Sequence, residues 1–422
     1  MALSFLLVGG TITAADQNSW FKGNLHTHTL WSDGDDFPEM IIEWYKTNNY
    51  DFLTLSDHNT IADGIKWVSI DNDGRKAALA KYLSRWGTGW IEQGVTNEVT
   101  SVRLKTFEEF APEFVERGKF LLMRGEEISA RYLTAPVHLG AINVRELIEP
   151  RGGTSVVEVM QNNIDAVLEQ RKRTGQPMFA HINHPNFRWA ITAEELMQVR
   201  NERFFEVYNA HPHVYNDGDE QHAGTERVWD IILTRRLAEL NLPVMYGIAT
   251  DDSHRYHTIG FGKNNPGEGW IMVQAKELSP KHLIHAMEAG DFYASTGVTL
   301  KNVNRGKKTY TIEIDPEPGV EYMTKFIGTR KGYLSSNEPF RAPSGTPLRV
   351  THNYSEDVGQ LLAISTGTKA AYQLRGDEIY VRAKVYSTKR RYTEDSSEAK
   401  KGTGSVEEFE SAWCQPLVTG VK

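Results

Sequence analysis

KGNLHTHTLWSDGDDFPEMIIEWYKTNN, residues 22–49, contains three kinds of sequence in turn. A short strand pattern comes first and runs into two histidines, and a turn rich in acids follows it. Pro38 then opens a segment whose apolar residues recur at helical spacing, and proline is favoured at the first position of a helix. The stretch therefore predicts one β-strand, a polar connection and one α-helix.

The same order recurs along the chain. Strand patterns alternate with helix patterns from residue 20 to about residue 297, in roughly seven or eight units. Such alternation predicts a parallel sheet wrapped by helices, and the number of units favours a closed β/α barrel. A doubly wound open sheet is the alternative, although no glycine-rich dinucleotide motif follows the first strand.

Three further segments depart from this alternation. Residues 61–105 are interpreted as an insertion, and residues 298–422 alternate apolar and polar residues between glycine and proline turns. That pattern predicts a small antiparallel β-sandwich-like domain, with a charged, flexible loop at 390–410. Residues 1–15 combine a short apolar run with a small-residue cleavage pattern, which favours a signal peptide and a periplasmic or secreted protein. Their lack of Lys or Arg keeps open a buried first strand and a cytoplasmic location.

Composition narrows the classes of function. The net charge is −8, which argues against a protein that coats nucleic acid, and no other apolar run is long enough to cross a membrane. A small-molecule substrate is expected, and a homo-oligomer is compatible with the sequence. Cys414 is the single cysteine, so a metal site would have to use His, Asp and Glu, which suit zinc, manganese and iron.

Histidines and acids gather at the predicted strand ends. Residues i and i+2 of a strand point to the same side, so His26 and His28 can share one metal, as can Asp252 and His254. One His-x-His pair is a weak signal, but the pattern recurs at every predicted barrel strand. In chain order the strand ends supply His26, His28 and Asp33; Asp57 and His58; Glu126 and Glu127; His138; His181 and His184; Glu206 and Asn209; and Asp251, Asp252 and His254.

These residue types suit hydrolysis by metal-bound water. Catalytic groups of a β/α barrel lie at the carboxyl ends of its strands. A bridging carboxylate such as Glu126 can hold two cations about 3.5–4 Å apart, which lowers the pKa of a bound water toward neutrality. No GxSxG nucleophile motif is present, so a protein nucleophile is not required.

The motifs HTHTLWSDG, LSDHN, GEEIS, HLGAI, HPN and TDDSH, within residues 24–254, resemble those of the polymerase and histidinol phosphatase (PHP) superfamily of metal-dependent hydrolases. Within it, the chain looks most like the carbaryl-hydrolase-like metallohydrolases. The resemblance implies a distorted seven-stranded, TIM-like β/α barrel and two to three divalent metal ions, zinc, manganese or iron. It also implies three ligand sets: His26, His28, Glu126 and Asp252; Glu126, His138 and His184; and Asp33, His58 and His254.

Two ligand assignments involve a choice. His184 is preferred to His181 because the family ligand tends to precede proline, and Asp252 is preferred to Asp251 because it shares the strand side of His254. His181 is then a candidate proton donor. Asp57 either orients a ligating imidazole or satisfies a backbone group at the strand end.

Substrate contacts and the reaction are less defined by the residues. Arg255 and Arg131 are candidates for binding a phosphate, although each could equally be a solvated arginine. Asn183, Asn209 and His211 either hydrogen-bond substrate or cap strand ends. The function expected is phosphomonoester or phosphodiester hydrolysis. The alternatives are hydrolysis of a carbamate, amide or aryl ester, and a non-catalytic binding module stabilised by metal.

Overall fold

The computed structural model describes residues 18–260, 262–391 and 409–419. Its helices are α1 Pro38–Thr47, α2 Asp73–Trp86, α3 Phe107–Phe114, α4 Val156–Thr174, α5 Ala193–Leu196, α6 Thr225–Ala238 and α7 Pro280–Ala289. Its strands are β1 Ser19–Asn24, β2 Phe52–Leu55, β3 Trp67–Ser69, β4 Gln93–Thr96, β5 Val99–Arg103, β6 Leu121–Tyr132, β7 Ala135–Ile142, β8 Phe179–Ile182, β9 Phe204–Asn209, β10 Tyr246–Thr250, β11 Trp270–Ala275, β12 Phe292–Ser295, β13 Leu300–Arg305, β14 Thr309–Ile314, β15 Tyr322–Arg330, β16 Asn337–Glu338, β17 Asn353–Tyr354, β18 Gln360–Thr366, β19 Lys369–Gln373, β20 Glu378–Arg390 and β21 Phe409–Val418.

A mixed 13-stranded sheet forms the centre of the molecule, in the order β10-β9-β8-β7-β6-β2-β1-β11-β12-β21-β20-β15-β18. β1, β2 and β6 are mutually parallel, as are β8, β9 and β10. β7 runs antiparallel to both of its neighbours, because only residues 133–134 separate it from β6 and a hairpin is the connection that fits. The expected alternation of strand and helix is therefore broken at this point.

The first and last strands of the series from β1 to β10 come together beyond their carboxyl ends. The backbone amide of Asp252 donates to the carbonyl of His26 at 3.1 Å, and the amide of His28 donates to the carbonyl of Ser253 at 3.0 Å. Thr27 and Ser253 thus form a parallel bridge. These hydrogen bonds bring the residues that follow β1 beside those that follow β10.

Several predicted helices are confirmed, with physical stops where the sequence places them. α1 begins at Pro38, and α4 ends at Gly175, which adopts the left-handed conformation (φ 70°) that a glycine accepts without steric cost. The segment TAEELMQVRN, residues 192–201, has a helix pattern, but α5 spans only four of these residues. β11 was not predicted, although its alternating burial is typical of a strand with one covered face.

The insertion folds as a small unit beside the central sheet. Its strands form a three-stranded antiparallel sheet in the order β3-β5-β4, against which α2 lies. Val68 and Val102 belong to a core that also includes Tyr45 of α1 and Trp31. The Trp31 indole donates to the carbonyl of Lys105 at 3.1 Å. The insertion therefore holds the loop that follows β1.

The C-terminal region is β-rich, as predicted, but it continues the central sheet. β21 pairs with β12 on one side and β20 on the other, and a second sheet, β13-β14-β19, shares a core with these strands. α6 is joined to β20 by a buried ion pair, in which Arg382 Nε and Nη2 each lie 2.7 Å from the Asp230 carboxylate. Tyr380 donates to the same carboxylate at 2.7 Å.

Two sequence predictions concern residues outside the described ranges. The signal peptide predicted at 1–15 lies wholly outside them, and the loop predicted at 390–410 lies outside them for residues 392–408. No helix in the described ranges combines the length and the apolar character that a membrane span requires.

Candidate metal centre

Glu127 lies at the centre of a cluster of histidines. Its Oε1 is 3.1 Å from Nδ1 of His138 and 3.1 Å from Nε2 of His184, and its Oε2 is 2.6 Å from Nδ1 of His58. These histidines come from β7, from the turn after β8 and from the turn after β2. The fold thus brings three separate segments to one buried carboxylate.

Glu126, the predicted bridging ligand, does not lie in this cluster. Neighbouring residues of a strand point to opposite faces, and Glu126 shares its face with Ile128 and Ala130, which are part of the main core. Its Oε1 accepts a hydrogen bond from the amide of Ile148 at 2.8 Å. Burial raises the pKa of Glu126 to about 8. The structure therefore brings Glu127, and not the predicted Glu126, into the cluster of histidines.

Asp252 faces Glu127 across the two histidines that follow β1. His26 Nε2 is 3.4 Å from Glu127 Oε1 and 3.3 Å from Asp252 Oδ1, and His28 Nε2 is 3.2 Å from the same Asp252 oxygen. Asp251 points away, as expected, and accepts the backbone amides of the loop 267–269. Of these two adjacent aspartates, Asp252 is therefore the one that lies in the cluster.

Asp33 lies on the outer side of the cluster. Its carboxylate is 3.3 Å from Nε2 of His254, 3.7 Å from Nε2 of His58 and 3.7 Å from Nδ1 of His28. Asp33 is more than half exposed, whereas His28 is fully buried. These four side chains form a group between the buried part of the cluster and solvent.

Four groups of side chains have ligand atoms that lie within 4.8 Å of one another, close enough to hold a metal ion. They are His28, Asp33, His58 and His254; His26, His184 and Asp252; His26, His28 and Glu127; and His58, Glu127 and His138. The groups share members, so they make one continuous centre rather than separate sites. Eight of the nine predicted ligands belong to it, and Glu127 replaces the ninth.

Hydrogen bonds from outside the cluster fix two of the imidazoles. His26 Nδ1 is 2.7 Å from Glu206 Oε1, and His254 Nδ1 is 2.8 Å from the backbone carbonyl of Asp252. Because each Nδ1 faces an acceptor, a neutral ring carries its proton on that nitrogen, and Nε2 is then the nitrogen available to a metal ion. Such support is typical of histidines that bind metal.

Asn209 and Asp57 hold neighbouring groups in place rather than facing open space. Asn209 Nδ2 donates to Glu206 at 2.8 Å and to Asp252 at 3.1 Å, so the predicted substrate contact is a support for two carboxylates. Asp57 accepts the amide of Thr29 at 2.7 Å and the hydroxyl of Ser32 at 2.6 Å, and Ser32 Oγ lies 3.3 Å from His28 Nδ1. Asp57 therefore satisfies a backbone amide and, through Ser32, also helps to hold the His28 imidazole. Its carboxylate does not itself reach the cluster.

Three other candidates lie outside the cluster. His181 is fully buried against Gly140, where burial lowers its pKa to about 4, and neither ring nitrogen makes a hydrogen bond within the described residues. Arg255 is 56% exposed and faces Asp35 at 3.8 Å. Arg131 is exposed at the end of β6. The structure does not bring these three residues to the centre.

The charges within the cluster are mutually dependent. Burial opposes a charge on Glu127, but the surrounding histidines hold the pKa of its carboxyl well below the usual range. Burial also opposes a charge on His58, yet Glu127 and Asp33 raise its pKa to about 9. His28, in contrast, has its pKa lowered to about 3, chiefly by burial and by the neighbouring His254. The carboxylates are ionised at neutral pH, and His28 presents a neutral imidazole.

The donor set fits divalent metal ions. Imidazole nitrogens and carboxylate oxygens are the ligands that zinc, manganese and iron accept. His28 Nε2, fully buried at the centre and 3.6 Å from Glu127 Oε2, makes no hydrogen bond within the described part of the chain. Buried polar atoms are nearly always satisfied, so an imidazole nitrogen that faces a carboxylate in this way fits a position beside a bound cation. His184 (φ 24°) and Asp252 (φ 49°) also have positive φ, a strained backbone that is common at functional sites.

Two further side chains support the cluster. Asn183 donates to Glu127 Oε1 at 2.8 Å, and Ser129 Oγ lies 2.5 Å from His58 Nδ1. Asn183 was a candidate substrate contact or strand cap, whereas Ser129 was not singled out from the sequence. Ser129 is two residues after Glu127 and so shares its strand face, which the alternation rule could have revealed.

The comparisons with known proteins give weak likenesses. No family model matches the chain, and no curated protein matches it. A solved two-domain protein from Bacteroides vulgatus ATCC 8482, containing a predicted PHP-like metal-dependent phosphoesterase, is 13% identical over 88% of this chain and 91% of that one, with a TM-score of 0.37. A protein from Bifidobacterium adolescentis ATCC 15703, named as a metal-dependent phosphoesterase, is 15% identical over 58% of this chain and 89% of that one, with a TM-score of 0.28. Both TM-scores are below 0.5, so any function rests on the side chains of the centre itself.

Proposed function

We propose that this protein is a metal-dependent hydrolase that cleaves a small phosphomonoester or phosphodiester. The observation that carries the proposal is the buried carboxylate of Glu127, which lies within 3.6 Å of ring nitrogens of five histidines. The five are His26, His28, His58, His138 and His184. A seven-stranded barrel closed by β1 and β10 would place His26, His28, His58 and His184 just beyond the carboxyl ends of its parallel strands, where barrel enzymes carry their chemistry. His138 would reach the same place from the antiparallel β7.

The resemblance stated from the sequence, with Glu127 in place of Glu126, gives three ligand sets. His26, His28, Glu127 and Asp252 would hold one ion; Glu127, His138 and His184 a second; and Asp33, His58 and His254 a third. When bound, such ions supply Lewis acidity and a hydroxide nucleophile at neutral pH. Two or three ions, of zinc, manganese or iron, are compatible with this donor set.

The chain itself orients the ligands and fixes which ring nitrogen of two of them faces the cluster. Glu206 and the carbonyl of Asp252 hold protons on Nδ1 of His26 and His254, which leaves each Nε2 free to bind. Asn183 directs one oxygen of Glu127, and Asn209 directs one oxygen of Asp252. A fixed set of ligands loses little conformational entropy on binding, which favours both affinity and a defined geometry.

A second candidate is hydrolysis of a carbamate, amide or aryl ester, as in the carbaryl-hydrolase-like enzymes. Within the described residues the ion pairs of Asp33, Glu127 and Asp252 are all with histidines, and none of them involves a lysine or an arginine that could bind phosphate. The Phe187 ring packs edge-to-face against His184, with ring centroids 5.1 Å apart. An aromatic neighbour of this kind suits a neutral ester.

The test combines metal analysis with three substrates. Purified protein is analysed for bound metal and then assayed with p-nitrophenyl phosphate, bis-p-nitrophenyl phosphate and a naphthyl carbamate, with added manganese or zinc. The proposal expects at least two metal ions per chain and turnover of a phosphate ester. Turnover of the carbamate alone would select the second candidate. Fewer than two metal ions together with no turnover would contradict both and support a non-catalytic module.

A further inference from the structure

His211 lies beside the metal centre but outside its ligand groups. It follows β9, and its backbone amide donates to Asn209 Oδ1 at 2.8 Å. Its ring lies edge-to-face with that of His254, with centroids 5.7 Å apart, and with that of Phe187 at 5.9 Å. None of the four ligand groups found in the described residues includes it. His211 therefore borders the space next to the outer ligands.

The tautomer of His211 is defined by its neighbour. The backbone amide of His213 donates to His211 Nδ1 at 3.1 Å, and a ring nitrogen that accepts an N–H carries no proton. The proton of a neutral ring must then be on Nε2. A ring whose Nδ1 accepts a hydrogen bond is neutral, because a doubly protonated imidazole has no acceptor nitrogen. No hydrogen bond from Nε2 is found among the described residues, which leaves one N–H donor uncommitted.

A hydrogen-bond donor at this position would supply what the side chains that hold the metal do not. The cluster directs carboxylate oxygens and imidazole lone pairs inward, and all of these are acceptors. Hydrolysis of an ester places negative charge on an oxygen of the attacked group, and donors aimed at that oxygen accelerate the reaction. A neutral imidazole can act as such a donor.

We propose that His211 donates a hydrogen bond through Nε2–H to the oxygen of the substrate's phosphoryl or carbonyl group on which negative charge develops. The inference rests on the proposed hydrolase function and deepens it, because it assigns a substrate contact to a residue that binds no metal. Asn209 Oδ1 holds the backbone of His211, and a main-chain amide holds its ring, so the side chain of His213 makes neither hydrogen bond.

The kinetic test compares His211→Ala with His213→Ala. The second variant removes a neighbouring imidazole but keeps the backbone amide that sets the tautomer. For bis-p-nitrophenyl phosphate we expect His211→Ala to lower kcat by about 10²-fold, with KM nearly unchanged, because that is the usual effect of losing one such donor. Bound metal should stay at the wild-type level in both variants, and His213→Ala should retain most of its activity. An equal loss in both variants, or loss of metal from His211→Ala, would overturn the proposal.

Two measurements do not depend on turnover. Nitrogen-15 NMR of the metal-free protein should show His211 as the neutral, Nε2-protonated tautomer between pH 6 and 8, and a proton on Nδ1 would overturn the inference. Calorimetric titration of the metal-loaded protein with inorganic phosphate should show about tenfold weaker binding for His211→Ala than for His213→Ala. Equal phosphate affinities would refute donation by His211. Failure of the wild-type protein to hydrolyse any of the three esters would instead contradict the proposed function.

Discussion

Replacing Glu127 with glutamine would remove the charge at the centre of the cluster while leaving its shape almost unchanged. The carboxylate lies between His138 and His184 on one oxygen and His58 on the other. A glutamine amide offers one neutral oxygen in place of two charged ones and turns an N–H₂ group toward the histidines. Two of the three proposed ligand sets would lose their shared anionic ligand.

The size of the effect follows from what a bound ion supplies. Lewis-acid stabilisation of the transition state is worth several kcal/mol. Losing about 4 kcal/mol of it would lower kcat by about 10³-fold, since each 1.36 kcal/mol is a factor of ten. We therefore expect Glu127→Gln to lose at least half of its bound metal and about 10³-fold in kcat on the best of the three ester substrates.

Glu126→Gln is the matched control, because it makes the same chemical change one residue earlier on the same strand. Burial raises the pKa of Glu126 to about 8, so its carboxyl is mostly protonated at pH 7 and resembles an amide. Glutamine can also still accept from the amide of Ile148. Metal content and kcat at pH 7 should be close to wild type. A severe Glu126→Gln defect with an active Glu127→Gln protein would refute the placement of the centre.

Three further predictions concern the support of the fold. Burial raises the pKa of Glu202 to about 7 from an unfolded value of 4.5, so the folded state binds more protons and the free energy of unfolding falls by about 3 kcal/mol as pH rises from 4.5 to 7. Urea unfolding of Glu202→Gln should therefore show a flatter pH dependence, and an unchanged slope would contradict this. Gly140→Ala would place a methyl group 2.1 Å from the His181 ring, so chemical denaturation should show a loss of about 1–3 kcal/mol that the added change His181→Ala relieves. Arg382→Met leaves the buried Asp230 without its ion-pair partner and should lower the free energy of unfolding by about 3–5 kcal/mol. The double variant with Asp230→Leu should recover most of that loss, and no recovery would show that packing rather than charge is lost.

Local rules were enough to identify most of the centre from the sequence. The spacing of two residues correctly placed His26 beside His28 and selected Asp252 rather than Asp251. These assignments succeed because they depend only on the alternation of side chains along an extended backbone. His184, next to Pro185, was likewise distinguished from the buried His181.

The choice between Glu126 and Glu127 shows where local rules stop. Alternation says that the two side chains point to opposite faces, but not which face is the inside of the cluster. The buried Ile128 and Ala130 were the available signal, because they mark the face of Glu126 as the one covered by apolar core. His58 and His184, which reach the other face, come from segments more than 50 residues away in the chain.

Pairings over long sequence separations were the least predictable part of the fold. β21 pairs with β12 across more than 100 residues, which joins the C-terminal strands to the central sheet. Nothing within either strand specifies that partner, because the pairing depends on residues far away in the chain. The support of His26 by Glu206 has the same origin, since the two residues are 180 positions apart.

Anomalous diffraction from crystals of the protein grown with manganese or zinc tests the central claim most directly. The account predicts at least two anomalous peaks at ligand distance, about 2.0–2.2 Å for carboxylate oxygens, from the two oxygens of Glu127. It predicts no peak beside the carboxyl group of Glu126. Peaks confined to surface acids, or a peak coordinated by Glu126 instead, would contradict it.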